Sequence, residues 1–276
     1  MSMDGERVLF HTDHLDICNS TFQEGESALK HCHDIRTSYC RFIGRYPIWH
    51  NRNVEVSDCE FDTDARAPMW YDENIALRNT VISAPKSLRE CDNVTLQNVR
   101  ITAGPETLWM CRDVNADSVK AEGAEYIFMR SENLRIRGLE LHGKYSFQYA
   151  RNIEIRNSHL YTKDAFWHAR NVTVYDSLIS GEYLAWHSHN LRLVRCHICG
   201  TQPLCYCDNL IMEDCTMGAD ADLAFEYSTV NADIRSDVTS IKNPISSDIR
   251  VHGRIGEIIL DEYCPDPSAN TIIAEK

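Results

Sequence analysis

The sequence repeats itself at intervals of about twenty residues, and this feature restricts the fold more than any other. Each copy has the form Asn, apolar, any, apolar, any, Asn or Asp, small, any, apolar, as in residues 53–61, 152–160 and 171–179. The first apolar residue of each copy is termed its anchor. The anchors lie 19 to 21 residues apart: Leu15, Ile35, Val54, Ile75, Val94, Val114, Leu134, Ile153, Val172, Leu191 and Leu210. A unit this small cannot bury its apolar side chains alone, so successive units must stack.

Apolar and polar residues alternate around each anchor, as at Val54 and Val56 or at Leu191 and Leu193. This period of two is typical of β-strands with one buried face, and no helical period accompanies it. Further apolar positions six residues before and seven after the anchor give each unit about three short strands. Units stacked in register form parallel sheets. The sequence therefore predicts an all-β fold, a single-stranded right-handed parallel β-helix (solenoid) of about 12–13 coils.

The repeat also predicts the organisation of the chain as one domain. We expect regular coils over residues 1–217, and degenerate coils with a C-terminal cap over residues 218–276, because the register fails near Gly218. A stacked fold needs atypical end units to cover its open edges. The repeat begins almost at residue 1, where Gly5 to Phe10 match Gly25 to Lys30. We therefore expect a homodimer in which a second copy covers the N-terminal end.

Two recurring turn positions account for residues that otherwise invite a functional interpretation. Asn or Asp precedes nearly every anchor, and these residues tolerate left-handed backbone, so we expect a stacked amide ladder there. Eight of the twelve cysteines fall three residues before or five residues after an anchor: Cys32, Cys40, Cys59, Cys91, Cys111, Cys196, Cys207 and Cys215. At such inward corners a free thiol acts as a small apolar group, and no disulfide is needed.

The composition excludes several classes of protein. The formal net charge is −13, and with no basic cluster in the sequence we expect no nucleic acid partner. There is no apolar run long enough for a membrane helix, and the first residues do not resemble a secretory signal. We therefore expect a cytoplasmic protein with no membrane partner.

Two further columns of the repeat hold the candidates for function. The position five residues before the anchor is termed the tryptophan column, since it holds all five tryptophans of the chain: Phe10, Lys30, Trp49, Trp70, Arg89, Trp109, Met129, Gln148, Trp167, Trp186 and Cys205. The position four residues before the anchor is termed the ring column: His11, His31, His50, Tyr71, Glu90, Met110, Arg130, Tyr149, His168, His187 and Tyr206. Side chains this large and polar are expected to face outward.

An outward aromatic strip suits stacking against sugar rings, with polar neighbours that bind hydroxyl or carboxylate groups. The substrate-binding candidates are Trp49, Trp70, Trp109, Trp167, Trp186, His50, Tyr71, His168, His187 and Arg66. The alternative is that the strip is covered and the tryptophans serve packing. An exposed stripe this aromatic would be unusual without a partner.

The sequence offers catalytic candidates at two cation–carboxylate neighbours, Arg89-Glu90 and Lys163-Asp164. A polysaccharide lyase needs a base and a cation, and a glycoside hydrolase needs two carboxylates, but neither set is distinct here. Whether the protein is an enzyme stays open. His-Cys neighbours such as His31 and Cys32 lie in columns that point apart, so we expect no metal site, and nothing in the sequence indicates a cofactor.

Several stretches resemble a bacterial family known as domain of unknown function 3737: residues 46–49, 65–71, 163–167, 180–186, 225–230 and 242–246. The resemblance runs along nearly the whole chain. It implies a right-handed β-helix of the pectate-lyase-like kind, and it brings neither an established activity nor catalytic residues.

Two hypotheses about function follow. The first is recognition, with or without processing, of an oligosaccharide or polysaccharide along the aromatic strip. The second is a non-enzymatic scaffold that assembles through its ends or through the same strip.

Overall fold

A computed structural model describes residues 1–275 of the chain. It consists of two compact units, unit 1 (Met1–Gly143) and unit 2 (Lys144–Lys276). Both units are built from short strands, and residues 1–275 contain no α-helix. The strands of successive coils pair in parallel, so the predicted β-solenoid is confirmed, with about 14 turns in the whole chain.

Most coils of unit 1 contribute one longer strand and one or two shorter ones, and two coils contribute a single strand of 10 or 14 residues. The strands are β1 (Ser2–Met3), β2 (Asp13–Cys18), β3 (Thr21–Phe22), β4 (Leu29–Lys30), β5 (His33–Ser38), β6 (Arg41–Phe42), β7 (Ile48–Trp49), β8 (Arg52–Ser57), β9 (Glu60–Phe61), β10 (Met69–Trp70), β11 (Glu73–Arg78), β12 (Val81–Ile82), β13 (Asp92–Ile101), β14 (Arg112–Glu125), β15 (Glu132–Arg137) and β16 (Glu140–Lys144). Anchors pair with anchors, since Ile75 lies between Val54 and Val94. The repeat in the sequence is therefore the register of the sheet.

Unit 2 continues the same pattern and then changes its period. The strands are β17 (Arg151–Arg156), β18 (His159–Lys163), β19 (Arg170–Tyr175), β20 (Leu178–Ser180), β21 (His189–Val194), β22 (His197–Cys199), β23 (Asp208–Met217), β24 (Thr229–Ile234), β25 (Val238–Lys242), β26 (Ser246–Val251), β27 (Ile255–Ile259) and β28 (Asn270–Ala274), with a 3₁₀ turn at Pro267–Ala269. Thr229 pairs with Ser246, seventeen residues later. The next spacing is longer, since Ser247 pairs with Asn270, 23 residues later, so the period of the last coils varies around twenty.

Stacked rings and stacked amides hold successive coils together. Phe42 lies between Phe22 and Phe61 in the core of unit 1, with ring centroids 4.7 Å apart on both sides. The expected amide ladder is also confirmed. Asn74 donates to the Oδ1 of Asn53 at 2.9 Å and accepts from Asn93 at 2.8 Å, and all three residues have positive φ. Left-handed backbone is tolerated by Asn, which explains its presence at this turn.

The cysteines behave as the repeat predicts, with one exception. All twelve are free, and the eight assigned to inward corners are buried. Cys205 differs from the expectation for the tryptophan column, because its side chain is buried with its Sγ 3.4 Å from the carbonyl oxygen of Gln202. A side chain this short does not reach the surface that its neighbour Trp186 reaches. Burial raises the pKa of the Cys205 thiol to about 12, which keeps it uncharged.

Candidate functional site

The ring column has a backbone conformation that sets it apart from the strands. His168, His187 and Tyr206 have φ values of 53°, 59° and 58°, in the left-handed region that costs a non-glycine residue about 1 kcal/mol. The same conformation recurs at His31, His50 and Tyr71 in unit 1. Because it occurs in coil after coil, it belongs to the architecture of the turn. It brings the side chains of this column to the surface one above another.

In unit 1 the tryptophan rings stack on their own neighbours. The ring of Trp49 lies 6.0 Å from that of Trp70 at an interplanar angle of 14°, and the Nζ of Lys30 lies 4.4 Å above the Trp49 ring. The Cζ of Arg89 lies 4.9 Å from the Trp70 ring and 4.7 Å from the Trp109 ring. Adjacent coils lie about 4.8 Å apart, which allows flat side chains at the same position to stack face to face. The ring faces between these residues, on which the sequence argument relied, are therefore covered, and the three indoles are half-buried.

Arg89 is the centre of this stack. Its guanidinium group lies between the two indole rings, its Nη1 donates to the Oε2 of Glu106 at 3.3 Å, and its side chain is only 13% exposed. Glu106 also binds the Nζ of Lys86 at 2.9 Å. Glu90 accepts a hydrogen bond from the Nε1 of Trp70 at 3.3 Å. Arg89 and Glu90 thus contact different parts of Trp70, the ring face and the Nε1, and the ion pair of Arg89 is with Glu106.

The two tryptophans of unit 2 make edge and tilted contacts. The rings of Trp167 and Trp186 lie 5.8 Å apart at 44°. Tyr183 and Tyr206 each meet Trp186 edge to face at 5.1 Å. The Nε1 of Trp186 donates to the carbonyl oxygen of Gln202 at 2.9 Å. Such T-shaped aromatic pairs are favourable, and here they fix the orientation of the indole.

The ring column of unit 2 forms a continuous stack that reaches one coil further than the sequence repeat indicated. Consecutive ring centroids along Tyr149, His168, His187, Tyr206 and Tyr227 lie 5.1, 4.9, 4.8 and 5.6 Å apart. The ring nitrogens of His168 and His187 and the hydroxyls of Tyr206 and Tyr227 have no hydrogen-bond partner among residues 1–275, and these side chains are partly exposed. The column therefore offers polar atoms to an external ligand at the spacing of the coils.

Burial favours the neutral form of two imidazoles of this column, those of His168 and His31. The pKa of His168 is lowered by desolvation first, and then by the charges of His187, His189 and Arg170. The pKa of His31 in unit 1 is lowered by desolvation, by His50 and by Lys30. A neutral imidazole carries one N–H donor and one acceptor nitrogen. In this form the His168 ring can both donate and accept hydrogen bonds.

Lys163 and Asp164 also have separate environments. The Nζ of Lys163 binds the Oε2 of Glu182 at 2.8 Å and lies 4.9 Å from the ring of Tyr183. Asp164 is 4% exposed, and its pKa is raised by desolvation, an effect that Lys163 opposes and Glu182 reinforces. Asp164 therefore has the character of a buried acid, whereas Lys163 belongs to a surface ion pair.

The remaining candidate, Arg66, lies away from both columns. It lines a concavity of about 520 Å³ in unit 1 together with Glu26, Arg45 and Asp64. Another concavity of unit 1, about 630 Å³, lies along the amide ladder and contains Asn53 and Asn74. Neither concavity includes a residue of the tryptophan or ring columns. No cluster of three or more His, Cys, Asp or Glu side chains suited to a metal ion occurs in residues 1–275.

Three residues near the end of unit 2 belong to the site but lie outside the regular repeat. Tyr227 extends the ring column, while the Oε1 of Glu226 binds the Nζ of Lys242 at 2.9 Å next to it. The Glu226 side chain is 13% exposed. The coil that carries Lys242 is shorter than twenty residues, so the anchor spacing could not place these side chains. The stretch 225–230 indicates this coil in the sequence. Glu226 and Tyr227 are adjacent there, as Cys205 of the tryptophan column and Tyr206 of the ring column are in the preceding coil.

Known protein structures share only a distant likeness with this chain. PfbA, a surface adhesin of Streptococcus pneumoniae, has a TM-score of 0.37 and 6% identity, and the match covers 87% of this chain and 83% of the adhesin. The catalytic domain of a GH87 α-1,3-glucanase, solved with tetrasaccharides, has a TM-score of 0.32 and 10% identity over 96% of this chain and 63% of the glucanase. HetL, a pentapeptide repeat protein of Nostoc sp. strain PCC 7120, has a TM-score of 0.21 and 11% identity over 93% and 92%. These likenesses are too distant to carry an inference about this chain.

No curated protein matches the sequence. In residues 1–275 no helix has the length and apolar character needed to cross a bilayer. A family model described as a protein of unknown function, DUF3737, matches residues 1–273, which confirms the resemblance noted in the sequence. The chain belongs to the DUF3737 family.

Proposed function

We propose that this protein binds a hydroxyl-rich, linear glycan along its ring column, with unit 2 as the principal binding surface. The observation that carries the proposal is the row of partly exposed, stacked rings of His168, His187, Tyr206 and Tyr227, whose polar atoms have no hydrogen-bond partner among residues 1–275. Sugar hydroxyls both donate and accept hydrogen bonds, as do neutral imidazoles and phenols. A glycan laid along the column would meet such a group at each coil.

The covered tryptophan faces define how a sugar would be held. Stacking of a sugar ring on Trp70 or Trp109 is opposed, since Arg89 already lies between these rings. The ring column would instead bind the sugar through hydrogen bonds, and the half-buried indoles would make apolar contacts beside it. This proposal is confined to binding, because Arg89 and Lys163 each already engage a carboxylate.

Binding can be tested by isothermal titration calorimetry with a panel of neutral and acidic oligosaccharides. Tyr206→Phe removes one hydroxyl and leaves the ring stack, so we expect about fivefold weaker binding, the effect of losing one hydrogen bond of about 1 kcal/mol. Tyr263→Phe is the matched control, because Tyr263 is 64% exposed and lies outside the column. Absence of binding to every oligosaccharide, or equal effects of the two variants, would contradict the proposal.

A second function, assembly into oligomers, is favoured by a different observation. Four aliphatic side chains of the last coils are more than a third exposed: Ile245, Ile258, Leu260 and Ile273. Exposed apolar surface of this kind marks protein interfaces. Sedimentation velocity over a range of concentrations tests this function: Ile273→Lys should abolish an oligomer formed through this end, whereas a dimer formed through the N-terminal end should persist. A monomer at all concentrations would exclude both modes of assembly.

A further inference from the structure

In unit 1 the column two residues before the anchor holds three bases and four acids: His33, Arg52 and Arg112, and Asp13, Glu73, Asp92 and Glu132. Each basic residue there has an acidic partner in an adjacent coil. The ion pairs are His33–Asp13 at 2.9 Å, Arg52–Glu73 at 2.8 Å and Arg112–Asp92 at 2.5 Å. Opposite charges on neighbouring strands are favourable, and like charges directly opposite each other are not.

Unit 2 departs from this rule at Arg170. Arg170 lies in register between Arg151 on one side and His189 on the other. The Arg170 side chain is exposed and has no ion pair or side-chain hydrogen bond among residues 1–275. The next acid in this column, Asp208, is two coils away and binds the Nδ1 of His189 at 3.2 Å. Arg170 therefore lies between two bases with its hydrogen-bond donors uncommitted.

The imidazoles of the ring column lie next to this arginine. His168 precedes Arg170 by two residues and stacks on His187 at 4.9 Å. Arg170 thus lies beside three imidazoles, of which, within residues 1–275, His189 alone binds an acid, Asp208, on a protein whose formal charge is −13. Such a grouping attracts an anion, because a bound negative group offsets the charge of Arg170 and favours protonation of the imidazoles beside it.

We propose that Arg170, with His168, His187 and His189, binds an anionic substituent, a carboxylate or a sulfate ester, on the glycan held by the ring column. This inference rests on the function proposed above. The planar guanidinium fork of arginine matches two oxygens of such a group, and charge-assisted hydrogen bonds are about twice as strong as neutral ones. The hydroxyls of the same sugar would lie against the ring column, whose nearest members are His168 and His187.

The proposal makes binding sensitive to pH and to salt. The charged groups that face His168 are Arg170, His187 and His189, with Tyr149 and Trp167 as uncharged neighbours. Without ligand these bases favour the neutral imidazole, whereas a bound anion favours the protonated form. We therefore expect affinity to increase as the pH falls from about 7.5 to 6, near the ordinary imidazole pKa, and to decrease with added salt.

The experiment compares three sets of oligosaccharides of equal length by calorimetry: neutral, uronate-containing and sulfated. Arg170→Gln removes the charge and should weaken binding of the anionic sugars by about tenfold, and of the neutral sugars by much less. Arg192→Gln is the matched control, since Arg192 is an exposed arginine of unit 2 paired with Glu213 at 2.9 Å. Because Arg170 is exposed and between two bases, we expect Arg170→Gln to fold with an unchanged or higher Tm.

The outcomes separate this inference from the proposed function. Preferential binding of uronates or of sulfated sugars, lost in Arg170→Gln and retained in Arg192→Gln, supports the anion site and identifies its substituent. Equal or better binding of neutral sugars, unaffected by Arg170→Gln, overturns the anion site and leaves glycan recognition standing. Absence of binding to all three sets overturns both.

Discussion

Asp72 places a carboxyl group at an inward corner where neighbouring coils have Asn51 and Cys91. Its Oδ1 accepts a hydrogen bond from the backbone N–H of Asn51 at 2.8 Å, while its Oδ2 is buried without a partner. The side chain thus caps a backbone group of the preceding coil, as Ser131 does for Cys111. Desolvation raises the pKa of Asp72 well above its ordinary value, so burial favours the neutral form of this carboxyl.

This burial predicts that Asp72→Asn stabilises the protein at neutral pH. The unfolded chain releases the Asp72 proton above about pH 3.9, so the wild type loses stability as the pH rises from there toward the raised folded pKa. Asparagine keeps the acceptor oxygen and carries no charge. We expect a gain of about 1–2 kcal/mol at pH 7 that disappears toward pH 4, measured by urea unfolding at several pH values.

The control for this prediction is Asp92→Asn. Asp92 is exposed and paired with Arg112, so its replacement should leave stability nearly unchanged or slightly reduced. If Asp72→Asn were less stable than the wild type at neutral pH, the folded protein would have to stabilise the charged Asp72 carboxylate. That result would contradict the prediction.

At the scale of the structural element, the Trp70–Arg89–Trp109 stack joins three coils of unit 1. Its energy comes from two cation–π contacts, one ion pair with Glu106 and the packing of the arginine methylenes. We expect Arg89→Ala to destabilise the protein by about 2–3 kcal/mol, and Arg89→Lys by less, since lysine restores charge without the planar contact. Denaturant unfolding followed by tryptophan fluorescence measures both.

Arg112→Ala provides the comparison for this prediction, because Arg112 is exposed and forms a surface ion pair with Asp92. Such pairs contribute about 0–1 kcal/mol. If Arg89→Ala and Arg112→Ala lowered the free energy of unfolding equally, the stack would contribute no more than a surface ion pair. That result would contradict the prediction.

The ring column predicts a loss of stability in weak acid. The folded-state pKa of His168 is depressed, chiefly by desolvation and then by His187, His189 and Arg170. A depressed pKa contributes stability that is present above about pH 6.5, the unfolded value, and is lost as the pH falls. We expect Tm to fall between pH 7 and pH 5, and less so in His168→Gln, which cannot acquire the charge.

A matched control for the acid effect is His159→Gln, because His159 is an exposed histidine of β18 outside the ring column. It should have the same pH profile as the wild type. If His168→Gln also matched the wild type, protonation of the ring column would not be the cause of the acid loss.

At the scale of the whole molecule, the fold could be predicted from the sequence because residues one repeat apart become paired neighbours when the coils stack. Anchors such as Val54, Ile75 and Val94 pair directly, and the left-handed turn selects Asn through a property of one residue. The covered faces of Trp70 and Trp109 could not be predicted, since the spacing assigns a residue to a column but not its side-chain rotamer. The ion pair of Lys242 with Glu226 could not be predicted either, because the coil that carries Lys242 is shorter than the twenty-residue repeat. The absence of an acidic residue next to Arg170 could be recognised only from the register of three adjacent coils.

The central claim, glycan recognition along the ring column, is tested most directly by a crystal structure of the protein with a bound oligosaccharide. The account predicts sugar density along unit 2, with hydroxyls within hydrogen-bond distance of the ring nitrogens of His168 and His187 and the hydroxyl of Tyr206. Density in the concavity beside Asn53 and Asn74 in unit 1, or none at a ligand concentration that saturates calorimetric binding, would contradict it.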